Sequence, residues 1–259
     1  MTQKIIKAKG LVDVEKETVW PDPFVIVEED LITKIGQQSD IPASDPETEI
    51  LDLNDKIILP GLINCHAHIS WPGAGISMSA QMESPYEIIV LGAAQNARTE
   101  LLSGVTMVRD CGGPGTLVQG IDEAVKQGKI EGPRIYHCGA MLTATGGHAH
   151  DIGMVADGPE EIVKAAKHQL EQGADFIKLM ATGGSTTGTH PGLASYSVSE
   201  LRSGVETAHQ FDKSVATHCR GIPGIRNSID AGVDFIEHAC FELPDGRLEF
   251  DPRLADDIA

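Results

Sequence analysis

The fold is decided by residues 60–68, which read Pro60-Gly61-Leu62-Ile63-Asn64-Cys65-His66-Ala67-His68. The stretch follows an apolar run at residues 57–59 and crosses a Pro-Gly break, which indicates a strand that enters a buried core. Side chains two residues apart on a strand point to the same face, so His66 and His68 can reach one point. Two neutral imidazoles that converge suit a divalent ion such as zinc, although two surface histidines on an edge strand would show the same spacing.

Beyond this stretch the chain alternates between strand-like and helix-like segments. A glycine followed by β-branched or aromatic residues recurs at Gly104, Gly173 and Gly232, and each glycine can end the preceding helix in a left-handed turn. Helix starts are indicated as well, by the capping patterns Ser84-Pro85-Tyr86-Glu87 and Ser197-Val198-Ser199-Glu200 and by Asp157 before a proline. This rhythm predicts successive strand–helix units.

The units predict six parallel strands, with ends near His66, Arg109, Cys138, Lys178, His218 and His238. Six or more such units without a glycine-rich dinucleotide loop favour an α/β fold of the (β/α)8 TIM-type barrel class, of which only about six strands are present. A doubly wound open sheet is the alternative. No phosphate-binding loop supports it.

Residues 1–59 differ from the remainder of the chain. Alternating polar and apolar residues predict short strands at Lys4–Ala8, Phe24–Glu28, Leu31–Ile35 and Glu49–Asp52, joined by turn-rich segments such as Trp20-Pro21-Asp22-Pro23. We therefore predict a small N-terminal half of a β-sandwich at 1–59 and an incomplete (β/α) barrel at 60–259. Four strands make a thin sheet, so a partner sheet is expected.

The composition of the 259 residues narrows the function classes. A formal net charge of −18 argues against nucleic acid or anionic membranes as partners. Five scattered cysteines without a paired motif, and no run long enough to span a membrane, favour a cytoplasmic protein with free thiols. This composition is also compatible with a homo-oligomer.

The predicted strand ends carry groups that could bind metal. Lys178 lies between apolar neighbours, where a buried amine loses its proton readily and can add carbon dioxide to form a carbamate. A lysine that reaches solvent at the sheet rim is the alternative. His218 and His238 end two consecutive strands, and with His66 and His68 they have the arrangement that a pair of bridged metal ions needs. A single histidine at a strand end is more often structural.

This set of residues resembles the amidohydrolase superfamily. The resemblance is strongest to the branch of imidazolonepropionase-like proteins and metal-dependent Xaa-Pro and Xaa-Arg/Lys dipeptidases, and it covers essentially the whole chain. Besides the histidines and Lys178, it rests on the lead-in Pro60-Gly61-Leu62-Ile63 and on the motifs at 104–110, 132–135, 145–148 and 236–238.

The resemblance implies a hydrolase that cleaves a C–N bond with a metal-bound hydroxide. His66 and His68 would bind one of two divalent ions, taken to be zinc, His218 and His238 would bind the other, and a carbamylated Lys178 would bridge them. The implied substrate is a small molecule, a dipeptide or an N-acyl amino acid. The alternative is a mononuclear hydrolase of a cyclic amide or amidine, in which Lys178 is a packing residue.

The resemblance also implies a substrate or oxyanion contact for His148, which follows the third strand. A loop histidine that caps the Gly146-Gly147 turn is the alternative, and His150 is expected to be structural or exposed. Tyr196, in the glycine-rich loop 183–196, and Arg220, next to His218, are further candidates for contact with substrate. A surface position is the alternative for Arg220.

Arg109 and Asp110 are expected to form an internal ion pair that supports the barrel.

One departure from the superfamily pattern concerns the aspartate that ends strand eight and serves there as general base. Residues 60–259 show no seventh or eighth strand, and Asp251, Asp256 and Asp257 follow the sixth strand. We therefore expect a fragment of a longer enzyme. A catalytically inactive metal-binding module is the remaining alternative.

Overall fold

The computed structural model describes residues 3–43, 46–73, 80 and 82–259. The chain divides into two compact units, Met1–Gly61 and Leu62–Ala259. No helix in the described part of the chain is both long enough and apolar enough to cross a membrane.

The first unit is a five-stranded sheet. Its strands are β1 (Gln3–Asp13), β2 (Thr18–Pro21), β3 (Pro23–Glu28), β4 (Leu31–Gln37) and β5 (Glu49–Ile58). Strand β1 pairs antiparallel with β2 and β3 and parallel with β5, and β4 pairs with β3. Ile5, Phe24 and Ile26 form its small buried cluster. The four predicted strands are present. Strand β2 falls on residues interpreted as a turn, and its Pro21 is tolerated because β2 is an edge strand.

The second unit alternates strands and helices, as the sequence predicts. Its strands are β6 (Leu62–Ala67), β7 (Val105–Asp110), β8 (Arg134–His137), β9 (Leu142–Thr143), β10 (Met154–Val155), β11 (Phe176–Met180), β12 (Ser214–Gly221) and β13 (Phe235–Glu242). Its helices are α1 (Tyr86–Leu102), α2 (Leu117–Lys126), α3 (Gly158–Glu171), α4 (Val198–His209), α5 (Ile222–Ala231) and α6 (Pro252–Ile258).

The strands of this unit are all parallel. One sheet has the order β6-β7-β8 and the other the order β10-β9-β11-β12-β13. The amide of Asp175 donates to the carbonyl of His137 (2.7 Å), which joins the start of β11 to the end of β8. Leaving aside the two-residue strands β9 and β10, six parallel strands are thus present. The (β/α)-barrel class is confirmed, and the described strands form part of a barrel without closing it.

The helices end and begin largely where the sequence indicates. Gly104, Gly173 and Gly232 have φ values of +92°, +91° and +82° and follow α1, α3 and α5. Ser197 caps α4 in a reciprocal capping box with Glu200, as predicted.

Two predicted helix caps differ in detail. Helix α1 begins at Tyr86 with Pro85 as its N-cap and without a side-chain cap, so the predicted capping box at Ser84 is wrong. Asp157 does hold the N-cap position of α3, but its carboxylate accepts bonds from the amide and hydroxyl of Thr145. Asp157 therefore ties α3 to the loop after β9, and the amide of Gly158 in the first turn of α3 donates instead to Oε1 of Glu200 at 3.1 Å.

The largest core cluster lies where α3, α4 and α5 cover β11 and β12. Ile162, Leu179, Leu201, Val215 and Ile225 are fully or almost fully buried in it. A second cluster joins α1 and α2 to β7 and β8. The helices thereby hold the strands from outside, and the carboxyl ends of the strands are left to carry polar groups.

Two glycine substitutions are expected to change stability in opposite directions. Gly232→Ala places a Cβ on a left-handed residue and should lower the free energy of unfolding by about 1–2 kcal/mol. Gly120→Ala, at an exposed position inside α2 with open space around it, should raise that free energy by about 0.5–1 kcal/mol. Urea unfolding of both variants and the parent chain measures the difference. A change of the same sign in the free energy of unfolding of both variants would contradict a left-handed end of α5 at Gly232.

Candidate metal centre

Five histidine rings from four segments of the second unit form a continuous cluster. His66 and His68 come from β6 and the residues just after it, His218 from β12, His238 from β13 and His148 from the loop after β9. The ring centroids lie 5.3 Å apart for His66–His68, 4.8 Å for His66–His238, 4.6 Å for His218–His238 and 4.4 Å for His148–His218. The cluster thus brings together all five histidines that the sequence proposed for the site.

The two histidines of the opening motif each use Nδ1 for a hydrogen bond. Nδ1 of His66 contacts Oε2 of Glu237 at 2.6 Å, and Nδ1 of His68 contacts the carbonyl of Gly112 at 2.8 Å. A carbonyl only accepts, so His68 carries its proton on Nδ1 and keeps the Nε2 lone pair free. Burial lowers the pKa of His68 to about 3, so the ring is neutral at pH 7 and its Nε2 lone pair can bind a metal ion.

His218 presents the opposite nitrogen. Its Nε2 donates to the carbonyl of Gly183 at 3.2 Å, so the free lone pair is on Nδ1. Burial and the neighbouring His148 and His238 lower the pKa of His218 to about 2. The ring is therefore neutral over the whole physiological range.

His238 is the most exposed ring of the cluster. Burial of its inner side and the nearby His66 lower its pKa to about 4. Its backbone has φ of +73°, a left-handed conformation that costs a non-glycine residue about 1–3 kcal/mol. Such strain is concentrated at functional sites, where the surrounding structure holds it.

Lys178 lies on β11 beneath the cluster with only 1% of its surface exposed. Among the residues that the structure describes, its Nζ has no hydrogen-bond partner, and burial lowers the pKa of its ammonium group. The predicted alternative of a lysine at the sheet rim does not hold, because the side chain is enclosed. An orphaned buried amine is an unstable arrangement unless a further group binds it.

His148 is buried and in contact with His218. The Thr186 amide donates to Nδ1 of His148 at 3.4 Å, and the Thr186 hydroxyl, which accepts from the amide of Ala149, lies 2.8 Å from the same nitrogen. Nδ1 is thus an acceptor, and Nε2 carries a proton. Burial lowers the pKa of His148 to about 4. The alternative of a capping histidine fits His150 instead, because His150 is exposed and its Nδ1 lies 2.8 Å from the Gly147 carbonyl.

The loop that follows β11 fits closely against these rings. A Cβ at Gly184 would come within 2.5–2.7 Å of the ring atoms of His148, closer than real contacts allow. Only glycine can occupy this position without displacing the ring. The close approach to His148 therefore explains the glycine at position 184.

The predicted ion pair between Arg109 and Asp110 is wrong. Consecutive residues of a strand point to opposite faces, and these two do. Asp110 points outward and accepts from the amides of Ile69 (2.7 Å) and Gly112 (2.9 Å), and burial raises its pKa to about 6. Arg109 points inward and pairs with Glu237.

Tyr196 and Arg220 have other partners than the ones proposed. Tyr196 is 2% exposed in the core of the second unit, and its hydroxyl donates to the carbonyl of Ala156 at 2.9 Å. Tyr196 is therefore a core residue and is not exposed for contact with substrate. Arg220 is partly exposed and forms an ion pair with Glu242 at 2.9 Å.

Glu237 is a residue of the site that the sequence interpretation did not single out. Its carboxylate contacts both His66 and Arg109. Burial raises the pKa of Glu237, but the bonds from His66 and Arg109 and the charge of Lys178 outweigh it and bring the pKa to about 2. The available signal was a charged residue inside an otherwise apolar strand, Phe235-Ile236-Glu237.

The donor set fits divalent metal ions. Neutral imidazoles with free lone pairs, together with a buried amine that lacks a partner, are suited to zinc and similar ions. In the described residues a further group of three donors, His66, Cys111 and Glu237, has ligand atoms within 4.8 Å of one another. Burial raises the pKa of Cys111 to about 11, so its thiol is protonated at pH 7 and is a weak ligand.

Comparison with known proteins agrees with this geometry. The sequence profile of the amidohydrolase family matches residues 57–255. The chain belongs to the amidohydrolase family. Among relatives of this amidohydrolase, ochratoxinase of Aspergillus niger is 27% identical over 249 residues, which cover 84% of this chain. Imidazolonepropionase of Idiomarina loihiensis is 34% identical over 76 residues, 29% of this chain and 18% of the relative.

Solved structures show the same fold. A Xaa-Pro dipeptidase with methionine bound in its active site superposes with a TM-score of 0.86 at 27% identity, over 99% of this amidohydrolase. The predicted branch of the superfamily is confirmed by these neighbours. This chain spans 50% of the length of ochratoxinase and 64% of the dipeptidase chain.

The neutral histidines predict that stability falls when the metal-free protein is acidified. Between pH 6.5 and about 4 the unfolded chain binds protons that folded His148 and His218 do not, because their folded pKa values are about 4 and about 2. His218→Asn removes one such group, and the slope of unfolding free energy against pH should flatten by up to about 1.4 kcal/mol per pH unit. Urea unfolding from pH 7 to 4.5 measures this. Exposed His150→Asn is the control, and equal slopes in all three proteins would contradict the neutral cluster.

Proposed function

We propose that the protein containing this chain is a metal-dependent hydrolase that cleaves the amide bond of a dipeptide or an N-acyl amino acid. One observation carries the proposal: a buried lysine, whose Nζ has no hydrogen-bond partner in the described part of the chain, lies beneath the histidine cluster at the strand ends. Burial of a lone amine has no benefit for stability, so its place is best explained by what it binds.

The free lone pairs suggest how two metal ions would be held. His66 and His68 would bind one ion through Nε2, and His218 through Nδ1 would bind the other together with His238. Lys178 lies on β11, next to the strand that carries His218, and the register pairs Met180 with His218. Lys178 also lies close enough to His68, His218 and His238 to affect the pKa of each, which supports a bridging role between the two ions.

Lys178 would serve as a ligand after reaction with carbon dioxide. The neutral amine adds CO2, an N–C bond forms, and one proton is released, which leaves a carbamate with two oxygen ligands. The lowered pKa of Lys178 favours the neutral amine that this step requires. Carbamylation would also leave the buried Nζ with a single N–H, so fewer buried donors would lack a partner than in the bare protein.

When bound, the ions would supply an activated water and polarise the substrate carbonyl. The chain's own contribution at that point is His148, whose Nε2–H is free to donate while Thr186 holds the other nitrogen. A donor at this position would stabilise negative charge on the carbonyl oxygen. Arg220 remains a candidate partner for a substrate carboxylate, although it would have to leave Glu242.

The choice of an amide substrate draws on the relatives. The similar solved structure is a Xaa-Pro dipeptidase, a protein that acts on a peptide bond beside proline. A second candidate, a mononuclear hydrolase of a cyclic amide, draws on the similarity to imidazolonepropionase. The second candidate assigns Lys178 to packing, and the lack of a hydrogen-bond partner for its buried Nζ among the described residues favours the first.

Metal analysis tests the proposal on the chain as it is. The chain, prepared with zinc and bicarbonate, is expected to bind two ions, and Lys178→Ala is expected to bind at most one. Lys167→Ala, which removes an exposed lysine of α3, should keep both ions. Inductively coupled plasma mass spectrometry on the dialysed proteins gives the ratio, and bicarbonate-free preparation should lower it for the parent chain.

Activity is to be measured on the longest reading frame that contains the chain. Release of amino acid from Xaa-Pro dipeptides and N-acyl amino acids is expected, and bicarbonate should increase it. If the parent chain binds fewer than two ions and Lys178→Ala leaves that number unchanged, the bridging lysine is eliminated and the mononuclear candidate is favoured. Metal binding without hydrolysis of any amide would favour an inactive metal-binding module.

A further inference from the structure

The carboxylate of Glu237 connects three strands of the second unit. It comes from β13, its Oε2 contacts Nδ1 of His66 on β6 at 2.6 Å, and its Oε1 accepts from Arg109 on β7. Glu237 and Arg109 are mostly buried, with 12% and 14% of their side-chain surfaces exposed. Both oxygens of the carboxylate therefore have a fixed partner, and each partner comes from a different strand.

Arg109 is itself held on both faces. Its guanidinium carbon lies 4.3 Å from the ring centroid of Phe176 and 4.7 Å from that of Phe235, distances typical of cation–π contacts. The same nitrogen that donates to Glu237 also reaches the carbonyl of Cys65 at 3.4 Å. A planar guanidinium between two rings cannot turn freely, so it fixes the carboxylate that it binds.

A structural ion pair or a direct metal ligand would be the other uses of Glu237. A purely structural pair would not require a histidine on its second oxygen. A metal ligand would direct one oxygen chiefly at the ion, whereas here each oxygen already accepts a short bond from a nitrogen donor of a neighbouring strand. The bond to Nδ1 instead has the geometry by which carboxylates orient metal-binding histidines: it places the proton on Nδ1 and leaves Nε2 as the donor.

We propose that Glu237 is a positioning residue that holds the ring and tautomer of His66 for metal binding, and that Arg109 holds Glu237 in place. The metal part of this inference rests on the proposed function, whereas the orientation of His66 does not. A charged carboxylate also raises the donor strength of the imidazole, because it stabilises positive charge on the ring when Nε2 gives its electron pair.

The tautomer of His66 tests the first half without metal. Long-range ¹H–¹⁵N correlation spectra of the ¹⁵N-labelled metal-free protein distinguish the two tautomers, and the His66 signals are assigned by their loss in His66→Gln. We expect the proton on Nδ1 in the parent chain and a mixture of tautomers in Glu237→Gln. A proton on Nε2 in the parent chain would overturn the proposal.

Metal affinity tests the second half. Chelator competition with Co²⁺ should show a dissociation constant 10–100-fold higher for Glu237→Gln than for the parent chain. Arg109→Lys keeps the charge but loses the stacked plane, so a smaller increase in the dissociation constant is expected. This variant replaces Glu237→Gln in the test if Glu237→Gln does not fold. Glu131→Gln breaks an exposed ion pair with Arg98 and should leave the affinity unchanged.

The outcomes separate this inference from the proposed function. If the parent chain binds no Co²⁺, the proposed function fails, and the tautomer alone decides whether Glu237 positions His66. If the parent chain binds Co²⁺ and neither Glu237→Gln nor Arg109→Lys changes the affinity, Glu237 has no positioning role. Loss of affinity together with a changed tautomer supports it.

Discussion

The candidate site depends on one constraint, the exclusion of water from polar groups at the carboxyl ends of the strands. Burial lowers the pKa of His68, His148 and His218, so these rings are neutral at pH 7, and it also lowers the pKa of the Lys178 amine. Neutral nitrogen is the form that binds a metal ion or reacts with carbon dioxide. The packing of α3, α4 and α5 over β11 and β12 therefore produces the chemistry of the site as well as the core.

Exclusion of water also dictates how charge is arranged. A carboxylate cannot be enclosed without compensation, and Glu237 has both a guanidinium and an imidazole as partners. This contact joins His66 on the first strand of the second unit to Glu237 on its last described strand, 171 residues apart in sequence. Strands β6 and β13, each an edge strand of its described sheet, are thus linked through their side chains.

Much of the fold was predictable because its signals are local. A glycine needed for a left-handed turn, as at Gly232, and a serine three residues before a glutamate, as at Ser197, act within one helical turn. The gathering of the five histidines was predictable for a related reason, since parallel strands end at one edge of a sheet. The predicted capping box at the start of α1 is wrong because Ser84 lies one residue before Pro85, the N-cap of the helix that forms.

The remainder of the site depends on contacts between distant strands, which a single sequence does not show. The sequence predicts an ion pair between the adjacent residues Arg109 and Asp110, yet alternation on β7 sends the two side chains to opposite faces. Glu237 has its partners on β6 and β7, which are far from β13 in the sequence. Tyr196 lies in a loop rich in glycine and threonine, and only the folded chain shows that its ring packs into the core.

The unequal use of the two ring nitrogens has a consequence for isosteric replacement. His66 and His68 keep Nε2 free, whereas His218 keeps Nδ1 free. The amide of glutamine reaches about as far as Nε2 of histidine, and the shorter amide of asparagine reaches about as far as Nδ1. Glutamine is therefore the closer substitute at the opening motif, and asparagine the closer substitute on β12. A search for diverged copies of this site should allow each residue only at its own position.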